Sequence, residues 1–160
     1  MATLPQLIQE DVTQLDRVLK ELLDVTESTT AMIIDKGGFL ISHSGDSEQF
    51  DLTTIAALAS GAFMANQTIA NLVNETNFNS VYQQGEKFSV FVLNVDEFCL
   101  LAIIFRAHLS VGVVKYFSEP AAQRIAKQLQ HAVERSPGQG LDLSEMNVVD
   151  SESIFHRKEA

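Results

Sequence analysis

Apolar residues recur at helical spacing near the start of the chain. Ile8, Val12, Leu15, Leu19 and Leu22 fall at intervals of four, three, four and three, and Glu10, Asp11, Asp16, Arg17, Lys20 and Glu21 fill the opposite face. This spacing predicts an amphipathic helix over residues 4–24. The pattern then shortens. "AMIID" and "FLISH" are brief apolar runs around Lys36-Gly37-Gly38, which reads as a hairpin because glycine accepts the positive φ of a tight turn. Asp51 is placed to cap a second helix over 52–75, with Ile55, Leu58, Ala59, Ala62, Ile69, Leu72 and Val73 converging on its expected core side.

Three short apolar runs follow, around 79–85, 88–95 and 98–105. Their short connections predict an antiparallel meander, and the last, "FCLLAIIF", reads as a strand buried on both faces. Beyond Arg106 two readings stand. "SVGVVKYF" is either a further strand, with Ser118 capping a helix that has Pro120 in its first turn, or the start of one long helix that Pro120 kinks. "EPAAQRIAKQLQHAVER" is helical in either case, and "SPGQG" ends it. The order α-β-β-α-β-β-β-α implies an α/β sandwich, a five-stranded mainly antiparallel sheet with helices on both faces. Residues 1–136 form the expected domain, and 137–160 an acidic C-terminal tail with scattered apolar positions.

Composition changes this picture by exclusion. The net charge of −10 with no basic stripe argues against binding nucleic acid. Cys99 is the only cysteine, which excludes an internal disulfide and a cysteine-rich metal site. The four histidines (His43, His108, His131 and His156) follow no metal-ligand spacing. No Gly-rich phosphate loop and no Gly-x-Ser-x-Gly elbow is present. No stretch has the roughly 20 apolar residues that span a bilayer, and the N-terminus lacks a signal-peptide pattern, so the expectation is a cytoplasmic protein without membrane insertion. No catalytic residue, cofactor, metal or small-molecule substrate is expected.

The chemistry-free second helix is the informative anomaly. From Leu52 to Asn74 it carries no charged residue, whereas the chain has 11 basic and 21 acidic side chains. A helix facing water normally shows a charged outer face. Here the face expected to point outward holds Ala57, Ser60, Gly61, Met64, Gln67, Thr68 and Asn71. Gly61 lowers helix stability by about 1 kcal/mol relative to alanine, and close approach of a second backbone would offset that. Either other parts of the domain enclose this helix, or another chain covers it. The strand at 79–85, first of the meander, is a second candidate contact, since an exposed edge invites pairing with its own copy.

"IIDKGGFLISHSG", "LTTIAALASGAFMANQTIANLV", "YQQGEKFSVFV" and "LLAIIFRAHLSVGVVKY" together resemble the roadblock/dynein-light-chain superfamily, and within it the MglB-like regulators of a small Ras-like GTPase of the MglA type. The resemblance covers residues 30–117. It implies a homodimer in which the 79–85 strands pair and the second helices lie side by side, with Val81, Tyr82, Gln83, Ser60 and Gln67 in the dimer interface. It implies that this platform binds the GTPase through Gly61, Met64, Ala65 and Thr68, with Lys115 at the margin; the wheel itself turns Ala65 toward the core. It also favours the single long helix after Arg106, and has the C-terminal tail touch the GTPase. The implied role is GTPase activation without a catalytic site of the protein's own, in bacterial cell polarity and gliding motility. A GTPase activator can instead donate an arginine, for which Arg106 and Arg124 are the candidates. The alternative role is a roadblock-type scaffold that binds a GTPase or other protein without accelerating hydrolysis. A ligand-sensing α/β domain is a third class, for which the sequence offers no pocket signature.

Overall fold

The computed structural model describes residues 3–135; the acidic tail expected at 137–160, and the domain boundary at 136, lie outside them. Helix α1 (Gln9–Thr26) leads into strands β1 (Thr30–Asp35) and β2 (Leu40–Gly45). Helix α2 (Leu52–Leu72) follows, then strands β3 (Ser80–Gln83), β4 (Phe88–Asn94) and β5 (Cys99–Arg106), and helix α3 (Val111–Arg135). The order is the one the hydrophobic pattern predicts, and the family resemblance correctly favours a single helix beyond Arg106.

The sheet runs β2-β1-β5-β4-β3, and every neighbouring pair is antiparallel. Strand β5 is central, and Cys99 through Phe105 are all buried, which accounts for its unbroken apolar run. Alternation along the strands divides the core in two. Ala31, Ile33, Leu101, Ile103 and Phe105 pack against Leu15, Leu19, Leu22, Ile125 and Leu129 of α1 and α3. Met32, Ile34, Leu100, Ala102 and Ile104 pack against Leu52, Ala56 and Phe63 of α2. Two helices thus cover one face and one helix the other.

Helix α1 begins at Gln9 rather than residue 4. Ile8 is extended (φ −100°, ψ 170°), and its N–H donates to the Asp11 carboxylate at 2.8 Å, fixing the helix start. Asp11 is therefore not on the solvated face. It is fully buried and takes two further sets of hydrogen bonds from α3: Gln128 Nε2 at 2.7 Å and the Arg135 guanidinium at 2.8 and 3.0 Å. The Arg135 bond, joined by the Ile8 N–H and Gln128, outweighs the desolvation that opposes it and holds the Asp11 carboxyl at about 2.

Helix α3 accommodates Pro120 because the interruption faces water. Proline removes the donor that would reach the carbonyl of Tyr116, and both residues are exposed, so solvent can satisfy that carbonyl.

Helix α2 begins where expected, with Asp51 accepting the Thr54 N–H at 3.2 Å. It ends before Asn74, which takes a positive φ of 60°. Its rotation differs from the sequence reading. Leu52, Ala56, Ser60, Phe63 and Ala70 face the sheet, and the stripe expected to be core is centred roughly a third of a turn away, with only its Ile55 and Ala59 packing half-buried on the core. The turn between β1 and β2 fixes this orientation. Gly38 adopts φ +99°, and a Cβ there would sit 3.3 Å from the Ala57 Cα, so the turn and the helix meet backbone to backbone. Beside it the Ser60 hydroxyl donates to the Lys36 carbonyl at 2.8 Å.

Candidate functional site

The rotation of α2 turns an apolar stripe outward. Leu58, Ile69 and Leu72 are 68%, 56% and 77% exposed, and Val73 beyond the helix end is 68% exposed. The sequence pattern expects all four in the core. Helical periodicity cannot orient them, because α2 has apolar or small residues on every side and no charge to mark the wet face. Phe63, the one side chain of α2 large enough to fill the space over the sheet, is the signal that points the other way: it is buried and packs on Phe78 with ring centroids 5.0 Å apart.

Gly61, Met64, Ala65 and Thr68 are all exposed and share the surface of α2. Ala65 belongs with this group and not with the core toward which the helical wheel turns it. A Cβ on Gly61 would meet nothing within 4 Å, so no contact among the described residues calls for glycine there. The Thr68 hydroxyl turns back and donates to the Met64 carbonyl at 3.1 Å. Lys115 is separated from these four. It is exposed on α3, on the opposite side of the sheet.

Of the residues expected at a dimer interface, Ser60 is withdrawn. Its side chain is buried and committed to Lys36, so it faces the chain's own sheet. Gln67 is exposed on α2. Val81, Tyr82 and Gln83 lie on β3, whose only strand partner among the described residues is β4, so its other edge is open. Val81 is half-buried against the α2-side core. Tyr82 points to the other face, stacks on Phe105 at 6.2 Å between centroids and remains 39% exposed.

The charges bordering α2 are tied into turns. Asp35 accepts the Gly37 N–H at 2.6 Å, and Asp96 accepts from Phe98 and Cys99 at 2.8 and 3.0 Å. Burial pushes both carboxyls up, and burial pushes the Lys36 ammonium down against the opposing pull of Asp96. Burial also raises the Cys99 thiol, which makes it a core residue rather than a nucleophile. The two candidate arginines lie on opposite layers, Arg106 on the α2 side of the sheet beside Phe88 and Arg124 on the α1–α3 side. Arg124 pairs with Glu21 at 2.6 Å on the α1–α3 layer, and the Arg106 guanidinium lies 5.4 Å from the Phe88 ring centroid. Among the described residues no group of three or more His, Cys, Asp or Glu side chains is placed to hold a metal ion, and no helix is long and apolar enough to cross a membrane. His156 and the tail's apolar residues lie outside the described residues.

What these features present is an uncharged, largely apolar helix face and, among the described residues, an open sheet edge. No curated protein matches the chain. Solved structures do. The chain is similar to "MglB with tetrameric arrangement" (27% identity, TM-score 0.76, covering 82% of this chain and 99% of that one). It is similar to the gliding protein MglB of Thermus thermophilus (27% identity, TM-score 0.74, covering 82% and 99%). It is also similar to Myxococcus xanthus MglB (26% identity, TM-score 0.74, covering 80% and 96%). The family model of the Roadblock/LC7 domain matches residues 14–105, more than half the chain, and with the sheet and helix order described above it follows that this protein belongs to the Roadblock/LC7 domain family.

Proposed function

We propose that this protein acts as a homodimer that binds a small Ras-like GTPase on the outer face of α2 and accelerates GTP hydrolysis. The single observation that carries this reading is the exposed, charge-free face of α2, with Leu58, Met64, Ile69 and Leu72 outward and Gly61 facing open space. A contiguous apolar surface on a soluble domain marks a contact with another macromolecule. Two such helices side by side, with the free edges of β3 paired, would form one continuous platform. Similarity to MglB, one example of which is a gliding protein, supports placing the activity in bacterial motility and polarity.

The mechanism follows from what the platform lacks. Helix α2 itself carries no cation, and Arg124 is paired on the α1–α3 layer. Arg106, on the α2 side of the sheet over the Phe88 ring, ends strand β5 rather than standing on a loop that could extend into the GTPase. Acceleration would come from differential binding: the platform holds the GTPase's switch segments in the arrangement that aligns the GTPase's own catalytic groups. Met64 suits this task, because its flexible thioether adapts to a partner's shape. Lys115, on the opposite layer, would reach the GTPase only around the edge of the sheet.

The experiment is phosphate release by a cognate MglA-type GTPase, with and without this protein, alongside a binding measurement. Acceleration is the expected result, and binding without acceleration would leave the scaffold role in its place. Met64→Arg should abolish binding while the unfolding free energy stays within about 0.5 kcal/mol of wild type, as for an exposed position. Normal binding by that variant would move the platform elsewhere.

A further inference from the structure

On the α1 side, the flank of α1 and the outer edge of β2 enclose an open groove of about 460 Å³, lined by Thr13, Asp16, Arg17, Lys20, His43 and Ser44. Its charge is unusual for this chain. Arg17 and Lys20 stand three apart on one helix face, and neither is in an ion pair among the described residues. Asp16 is the only carboxylate in the lining and already accepts the Ser42 hydroxyl. The basic residues Arg124 and Arg135, by contrast, are both taken by acids. One wall of the groove is strand β2, which pairs only with β1 among the described residues and so offers an unpaired row of backbone N–H and C=O groups. A cationic wall beside an open strand edge fits an extended acidic peptide, whose backbone adds to the strand while its carboxylates meet the cations.

The chain itself carries such a peptide. Residues 141–155, "LDLSEMNVVDSESIF", hold Asp142, Glu145, Asp150 and Glu152 and no lysine or arginine. Helix α3 ends at Arg135, which Asp11 clamps beside the first turn of α1. From Asp11 to Arg17 is about 9 Å along the helix. The groove lies on the β2 flank of α1 and α3 on the other, so the path also crosses a helix about 10–12 Å wide. With the roughly 9 Å along the axis this is about 15 Å, within the roughly 17 Å that the five residues "SPGQG" at 136–140 can span.

We propose that the acidic segment 141–155 docks intramolecularly on the groove between α1 and the β2 edge, its carboxylates opposite Arg17 and Lys20. The contact lies on the face of the sheet away from α2, so it does not compete with the platform and does not depend on the GTPase reading.

Amide hydrogen exchange on the full chain tests this. In wild type, the amides of 141–155 and 40–45 should exchange about tenfold slower than in the Arg17→Glu/Lys20→Glu variant. They should also speed up when salt is raised to about 0.5 M, since the contact is partly exposed and screened. Adding Asp150→Lys/Glu152→Lys to that variant should restore protection, which a merely weakened fold would not do. Carbodiimide coupling of mixed ¹⁴N and ¹⁵N chains should join Lys20 to a carboxylate of 141–155 within one isotope class. Equal exchange of 141–155 in wild type and variant would overturn the proposal. Coupling between isotope classes would also overturn it, giving the groove to a neighbouring copy, as would protection of 141–155 that appears only on adding the GTPase.

Discussion

On one side of the sheet, α1 and α3 lie against each other and hold their charges in fixed partnerships: Asp11 with Arg135 and Gln128, Glu21 with Arg124. On the other side α2 carries no charge, has no helix beside it among the described residues, and turns leucines outward. The sheet is the same for both, and β5 supplies alternate residues to each core. On the first face the two helices bury a stripe against each other and the sheet and carry charged residues outward, with Val113, Tyr116 and Phe117 near the start of α3 as the apolar exception. The second buries only a narrow stripe from Leu52 to Ala70 and leaves an apolar back. The lesson is that a layer's outer surface reports its destination more directly than its inner one, because inner surfaces must be apolar in every case.

Four substitutions sharpen that contrast, from the largest effect to the smallest. Phe63→Ala removes the main wedge between α2 and the sheet and should lower unfolding free energy by about 3–5 kcal/mol in urea titration. A loss under about 1 kcal/mol, far below the usual cost of such a truncation, would mean that α2 is held chiefly by a partner. Asp11→Asn breaks the charged clamp on the opposite face and should cost about 1–3 kcal/mol. Its pH dependence carries a sign. The folded carboxyl sits at about 2 against an ordinary 3.8, so its stabilisation is fully present above pH 3.8 and lost as pH falls toward 2. Thermal midpoints of wild type should fall across that window, and the variant should lack that part of the decline.

Gly61→Ala should act in two directions at once. With open space around the new Cβ, the folded chain should gain about 0.5–1 kcal/mol from helix propensity, read from the urea midpoint. GTPase binding, read by titration calorimetry, should weaken if the partner's backbone approaches there. Leu72→Asn should change the stability of the dilute chain by less than about 0.5 kcal/mol, since the side chain is exposed. Its mark should be on concentration dependence: the wild-type midpoint should rise with chain concentration through self-association, and the variant's should rise less.

The sheet and the element order are legible in the sequence because alternating and helical periods are local and strong. "FCLLAIIF" fits only an interior strand, and Lys36-Gly37-Gly38 fits only a turn. The open edge of β3 is legible from its place at the head of the meander. The rotation of α2 is not, because a helix without charged residues gives no polar face from which to infer the buried one. What orients it is Gly38 against Ala57, a contact between segments that no periodicity links. Asp11 escapes sequence reasoning for a related cause. A carboxylate in a first turn is ordinarily solvated, and its partner Arg135 lies at the far end of the domain in sequence. Resemblance groups Lys115 with the platform, and the layer arrangement separates them.

The pairing of β1 with β5 bears on how the chain assembles. Strands β1 and β2 form a local hairpin, and β3, β4 and β5 a local meander, but Thr30 finds Ile104 only across everything between. Both local pieces can form early, and joining them requires closing a long loop that contains α2. On the ribosome the two halves must wait for the emergence of β5. Until then Met32, Ile34 and the inner face of α2 have no complete surface to cover, so an uncharged helix with apolar sides would be open to chaperones on its inner as well as its outer face.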